Sequence, residues 1–167
     1  MRSLLKKAPF EAKNLDLNDL VRETVEFLSA LAVGREVKLS SMISPVALPV
    51  VGDRVHLQQV ILNLVVNAID AMIDTPGDDR IISIGTSRIE NFAELAISDH
   101  GPGIPEDKLK DVFEPFVTNK PKGMGMGLSI ARTVVEAHDG QICADNEPGW
   151  GAVFRIKLPI SRHASVG

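Results

Sequence analysis

A chain of 167 residues is long enough for one domain with a single core, which at this size buries about two-thirds of the surface exposed by the unfolded chain. Apolar residues make up 44% and charged residues 24%, and 18 basic against 22 acidic side chains leave a formal charge of −4, the balance of an ordinary soluble globular protein. That balance argues against nonspecific duplex DNA or anionic membrane as the main partner, since such binding draws on clustered Lys and Arg, but it leaves room for a local phosphate pocket.

In chain order, the start Met1-Arg2-Ser3-Leu4-Leu5-Lys6-Lys7 is too short and too quickly charged for a signal peptide, and no apolar run approaches the roughly 18 residues of a membrane span. Residues 18–33 are predicted as an amphipathic helix, because Leu20, Val21, Thr24, Val25, Leu28, Leu31 and Ala32 follow three-four spacing and Gly34 lies at the end. A strand over 36–43 follows, then a connection through 45–51. Gly52-Asp53 supplies a turn and an N-cap for a long helix that runs to about Asp74, where Pro76-Gly77 stops it.

Two strands, about 80–90 and 93–99, read as a hairpin turning at Asn91. A Gly- and Pro-rich loop over 100–105 leads to a short helix ending near Val112, and an irregular stretch spans 113–125. A third helix over 127–138 is stopped by Asp139-Gly140. Strands over 141–145 and 152–158 flank the turn Glu147-Pro148-Gly149. Strands and helices are thus partly segregated. The fold class expected is α+β: a two-layer α/β sandwich with a mixed, largely antiparallel sheet on about three helices.

Three segments have the composition to bind a ligand. On the second helix, Leu57, Val60, Ile61, Leu64, Val65, Ala68 and Met72 fall within roughly 140° of one another, leaving His56, Gln59, Asn63, Asn67, Asp70 and Asp74 in a polar strip only about 80° wide. Asn63 and Asn67 are stacked one turn apart. They read either as a solvated face or as carboxamides, one of which serves Mg²⁺ as a hard neutral ligand that phosphates complete.

Asp99-His100-Gly101-Pro102-Gly103 is either a plain strand-to-helix turn or a cradle in which the glycines let a flat ligand approach while Asp99 accepts from an exocyclic amine such as the adenine 6-amino group. Gly123-Met124-Gly125-Met126-Gly127 opens a helix, either as a flexible hinge or with its amides turned to phosphates. It is neither a Walker loop nor a Rossmann fingerprint. Between these boxes, Phe113-Glu114-Pro115-Phe116 and the stretch to Lys122 have the look of a mobile cover, whose Lys120 and Lys122 are either solvated or within reach of a terminal phosphate.

Asn63-x-x-x-Asn67, Asp99-x-Gly101-x-Gly103, Phe113-x-x-Phe116 and Gly123-x-Gly125-x-Gly127 occur in one order. Over residues 15–159 this order resembles the catalytic, ATP-binding domain of bacterial two-component sensor histidine kinases, in the superfamily shared with DNA gyrase, a heat-shock chaperone and mismatch-repair ATPases. The resemblance implies a Bergerat-type sandwich that takes ATP and Mg²⁺ between the long second helix and a lid. It implies Asn67 as the metal ligand, with Asn63 its partner in the catalytic box, and Asp99 as the adenine-specifying carboxylate beside Gly101 and Gly103. Lys120, Gly123, Gly125, Gly127 and Leu128 are implied as further nucleotide contacts, and Phe113 and Phe116 as anchors of the lid.

ATPase relatives and related serine kinases typically carry Glu four residues before the magnesium Asn, as the base that orients the attacking group, whereas this chain has Asn63. The favoured acceptor is therefore a histidine imidazole, which is already nucleophilic when neutral. In the resembled family that histidine lies on a preceding helical dimerisation hairpin, and none of His56, His100, His138 and His163 has its sequence context. Residues 1–13 are expected to be a remnant of that hairpin or its linker, 14–160 the ATP-binding domain and 161–167 a tail. The implied partners are the histidine-bearing dimerisation domain and a response regulator receiver domain, with no nucleic acid and no direct membrane contact.

The single cysteine, Cys143, excludes an intrachain disulfide framework and any zinc site built from several thiolates, and fits a reducing compartment; the expected location is cytoplasmic, with a membrane-attached parent protein left open. Two other readings stand beside the kinase: an ATPase or serine kinase of the same superfamily, and a noncatalytic nucleotide-binding module.

Overall fold

The computed structural model of the chain describes residues 11–114 and 125–161. Three helices, α1 (Leu17–Gly34), α2 (Arg54–Ala71) and α3 (Gly125–Ala137), cover one face of a five-stranded sheet. Its strands are β2 (Lys38–Met42), β4 (Ile81–Ile89), β5 (Phe92–Asp99), β6 (Gln141–Asn146) and β7 (Ala152–Pro159), in the order β2-β4-β5-β7-β6. β2 runs parallel to β4, and the other neighbours are antiparallel, as the mixed, largely antiparallel expectation required.

Period-two alternation builds the core. Ile82, Ile84 and Thr86 of β4, Ala93, Leu95 and Ile97 of β5, and Phe154, Ile156 and Leu158 of β7 are buried, and register aligns them in rows such as Ile84–Ile97–Phe154. Against them lie the apolar stripes of the helices. All seven residues predicted for the core face of α2 are buried, Leu64 and Val65 completely. Among the described residues no helix is long and apolar enough to cross a membrane.

Several boundaries differ from the sequence expectation, each for a local reason. A second sheet pairs β1 (Lys13–Asp16), ahead of α1, antiparallel with β3 (Pro49–Gly52), which takes up part of the segment expected to be a plain connection. Four-residue strands carry too little alternation to be seen, and Pro49 is tolerated because the pair is isolated from the main sheet. Helix α2 stops at Ala71 rather than near Asp74, since its end tightens into short-range bonds: Met72 N–H donates to Ile69 O and Ile73 N–H to Asp70 O. Arg80 then binds the carbonyls of Ile73, Thr75 and Arg35, fixing that turn to the end of α1. Asp74 thus leaves the polar strip.

The left-handed residues that close α1 and α3 are Glu36 (φ 58°) and Asp139 (φ 60°), not the nearby glycines. The short helix before Val112 is a 3-10 segment, Glu106–Asp111. Residues 1–10 and 162–167 lie outside the described part. At the start of that part, Glu11 N–H donates to Asp53 Oδ2, and Lys13 pairs with Gly52.

Candidate functional site: a cleft between two helices and a glycine loop

One face of α2 organises the candidate site. Near its middle, Asn63 accepts from Gln59 Nε2 (3.1 Å) and donates through Nδ2 to Gly127 O (3.4 Å), which ties the helix to the start of α3. Eight residues on, a side chain at Gly101 would sit 2.9 Å from Ala71 O, so the same helix abuts the Asp99 loop there. Asn67, half-buried, lies midway between these points on one helical face. The interval is about 12 Å along the axis, the scale of a nucleoside triphosphate.

Asp99 ends β5 in the core-facing register of Ala93, Leu95 and Ile97, which is why a carboxylate here is only 1% exposed. Its Oδ1 accepts from Gly101 N–H at 2.7 Å, and its backbone carbonyl accepts from Gly151 N–H at 2.6 Å. Gly151 cannot carry a side chain: a Cβ would overlap Gly101 O and lie 2.7 Å from Asp99 Oδ1. Gly103 has φ +84°, and the Asn146 carboxamide clasps its neighbour Ile104 by both backbone groups, each at 2.7 Å.

Asn146 and the buried Gly151 were not among the site residues read from the sequence. Asn146 belongs to a strand some forty residues away, and no local pattern announces such a pairing.

Gly127 contributes a carbonyl to Asn63, while its Cα faces open space, with nothing within 4 Å of a Cβ placed there. The glycine is therefore not demanded by packing in this conformation. Leu128 is half-buried against the core. Phe113 is buried edge-on to Phe154, with centroids 6.0 Å apart, and Glu114 pairs with Arg132 of α3. This anchors the entry to the segment between the glycine boxes. Gly125 begins α3; Phe116, Lys120, Lys122 and Gly123 lie outside the described residues.

Among the described residues no group of three or more His, Cys, Asp or Glu could hold a metal. A hard cation here would take few protein ligands and fill its shell from phosphate and water, which suits Mg²⁺ beside a carboxamide. Three histidines are described. His138 is buried with both ring nitrogens used, Nε2 accepting from Asp53 N–H (2.9 Å) and Nδ1 donating to Val134 O (2.8 Å). His56 faces Asp53 at 3.6 Å, and His100 lies under Trp150. A separate hollow of about 290 Å³, lined by residues including Arg35, Asp70 and Arg80, shares none of the asparagines or glycines of the cleft.

The histidine kinase-, DNA gyrase B- and HSP90-like ATPase family matches residues 52–162, which include α2, the Asp99 loop and the glycine-rich start of α3. The chain belongs to that family. Within it, this is the catalytic ATP-binding domain of a sensor histidine kinase, with the α+β Bergerat-type fold. The sensor histidine kinase TmoS of Ectopseudomonas mendocina is 36% identical over 96% of this chain, which covers 17% of TmoS.

The solved catalytic domain of the histidine kinase ThkA is 31% identical, with 90% of this chain and 96% of that one aligned at a TM-score of 0.79. ThkA solved in complex with the response regulator TrrA aligns at 0.77 with 29% identity, over 91% of this chain and 42% of that one. The chain spans 17% to 32% of the length of the first three curated relatives it matches.

Proposed function

We propose that this domain binds Mg-ATP along α2 and donates the γ-phosphoryl group to a histidine on a dimerisation domain of its parent protein, for onward transfer to a response regulator. The observation that carries the reading is the placement of a buried carboxylate, Asp99, and a carboxamide pair, Asn63 and Asn67, at the two ends and middle of a stretch of about 12 Å along one face of α2.

In this reading Asp99 accepts from the adenine 6-amino group, and the glycines at 101 and 103 leave the base room to lie flat. The Asn67 oxygen would hold the magnesium ion. When bound, that ion neutralises charge on the phosphate oxygens. Gly125, Gly127 and Leu128 would contact the phosphates at the N-terminus of α3, where amides and helix dipole favour anions, and Lys120 and Gly123 are proposed as further nucleotide contacts. Asn63, engaged with Gln59 and Gly127, has no carboxylate to activate water or a hydroxyl, which favours a neutral imidazole acceptor over hydrolysis or serine phosphorylation.

The complex of ThkA with TrrA supports a response regulator as the downstream partner. The same reading places the domain in the cytoplasm.

The test is to incubate the chain with γ-labelled ATP, alone and with a separately produced histidine-bearing dimerisation domain of the parent. Acid-labile label is expected on the added domain and none on the chain. Self-labelling of the chain, or phosphate release at an equal rate without the acceptor, would overturn the proposal.

A further inference from the structure

Trp150 is the chain's single tryptophan, and it stands 37% exposed in a turn between β6 and β7 rather than in the core. That turn is closed by bonds from Glu147 N–H to Gly151 O (3.0 Å) and from Trp150 N–H to Glu147 O (2.9 Å). Its sequence is Gly149-Trp150-Gly151, with Gly149 at φ +81°. Two glycines give the backbone wide freedom, so Trp150 supplies the side chain that can anchor it.

The indole rests on the imidazole of His100, with centroids 4.0 Å apart and planes tilted by 53°. His100 in turn reaches Asp79 O through Nδ1 at 3.2 Å. The two rings thereby join three loops: the 77–79 turn, the Asp99–Gly103 segment and the 147–151 turn.

Each ring belongs to a neighbour of a residue that grips Asp99. His100 separates Asp99 from Gly101, whose N–H holds Oδ1; Trp150 precedes Gly151, whose N–H holds the Asp99 carbonyl and whose bare Cα forms a wall beside Oδ1. Where Gly151 sits therefore decides where the carboxylate points. We propose that Trp150 and His100 form a positioning pair that fixes the Asp99 carboxylate for selection of adenine over guanine. The inference rests on the reading of Asp99 as the base-specifying group.

The experiment measures affinity of the 167-residue chain for Mg-bound non-hydrolysable ATP and GTP analogues. The variants are Trp150→Ala, Trp150→Phe, His100→Ala, the Trp150→Ala/His100→Ala double and Asp99→Asn, each checked by circular dichroism and melting.

Trp150→Ala and His100→Ala should each weaken ATP binding on the order of tenfold, the scale seen when a supporting group behind a site is removed. The ATP-over-GTP preference should fall by the same factor, Trp150→Phe should restore most of it, and the double variant should be no worse than either single. A purely structural stack would lower the melting temperature and leave the base preference alone, which would overturn the proposal; so would additive losses in the double variant.

If Trp150→Ala loses its cooperative transition, His100→Ala and Trp150→Phe decide the matter. If Asp99→Asn abolishes ATP binding or its preference over GTP while the ring variants keep both, the base site stands and the positioning pair is refuted. If Asp99→Asn keeps the preference, the base-site reading falls and the pair falls with it.

Discussion

Asp53 shows how much a single side chain can be asked to do in this fold. It caps α2 by accepting from His56 N–H at 3.0 Å, and its other oxygen holds Glu11 N–H at 2.8 Å. Burial pushes its carboxyl upward, but the amides of Glu11, His56 and Val55 and the charge on His56 outweigh that and hold it below its ordinary value of 3.8. A depressed carboxylate contributes stability that is present above the unfolded value and is lost as pH falls through the folded one. Asp53→Asn should therefore cost about 1 kcal/mol near neutrality, with the gap closing as pH drops below about 3.8. Urea unfolding of both proteins across that range is the check, and a gap independent of pH would contradict it.

At this scale, residues that act through local pattern were legible. The Asp-x-Gly-x-Gly segment after a strand singled out Asp99, and helical spacing singled out the two asparagines. Asn146, the backbone of Ala71 and the steric demand on Gly151 were not, because each acts on a residue distant in sequence.

Among the elements, helix α2 was the most readable, since an amphipathic stripe interrupted by a narrow polar strip is written in the order of its residues. The attachment of α1 was not readable. Asn18, 2% exposed in the first turn of α1, donates to Val46 O (2.8 Å) and Ser44 O (3.3 Å) and accepts from Thr86 Oγ1 (2.7 Å), while Thr86 accepts from Ser44 N–H (2.8 Å). One carboxamide thus joins a helix, a loop and a central strand, and in sequence it looks like an ordinary polar helix start.

Because removing it strands buried partners without water, Asn18→Ala should cost about 3 kcal/mol. The midpoint of chemical denaturation should fall accordingly, and a loss within a few tenths of a kcal/mol would show the network to be incidental. The β1–β3 pair was missed for a related reason: its strands are held by the partner's backbone rather than by a pattern of their own.

For the whole molecule, segregation of strands from helices was enough to give the layer count and the mixed sheet, but not the strand order, because the parallel β2–β4 pairing depends on a crossover through α2. That crossover lays α2 across the sheet, with one end at the Asp99 loop and its middle at α3. The gathering of the candidate site residues is thus a product of topology. Family membership became legible from the sequence through the order of four motifs, whereas no phosphoacceptor did, since the described histidines are committed to a buried latch, an N-cap neighbour and an aromatic stack.

The most direct test of the account is calorimetric titration of the chain with a non-hydrolysable ATP analogue, with and without Mg²⁺, for the wild type, Asp99→Asn and Asn67→Ala. Mg²⁺-strengthened binding is expected in the wild type, loss of binding in Asp99→Asn, and loss of the Mg²⁺ dependence in Asn67→Ala. Binding unaffected by either substitution, or no binding by the wild type, would contradict it.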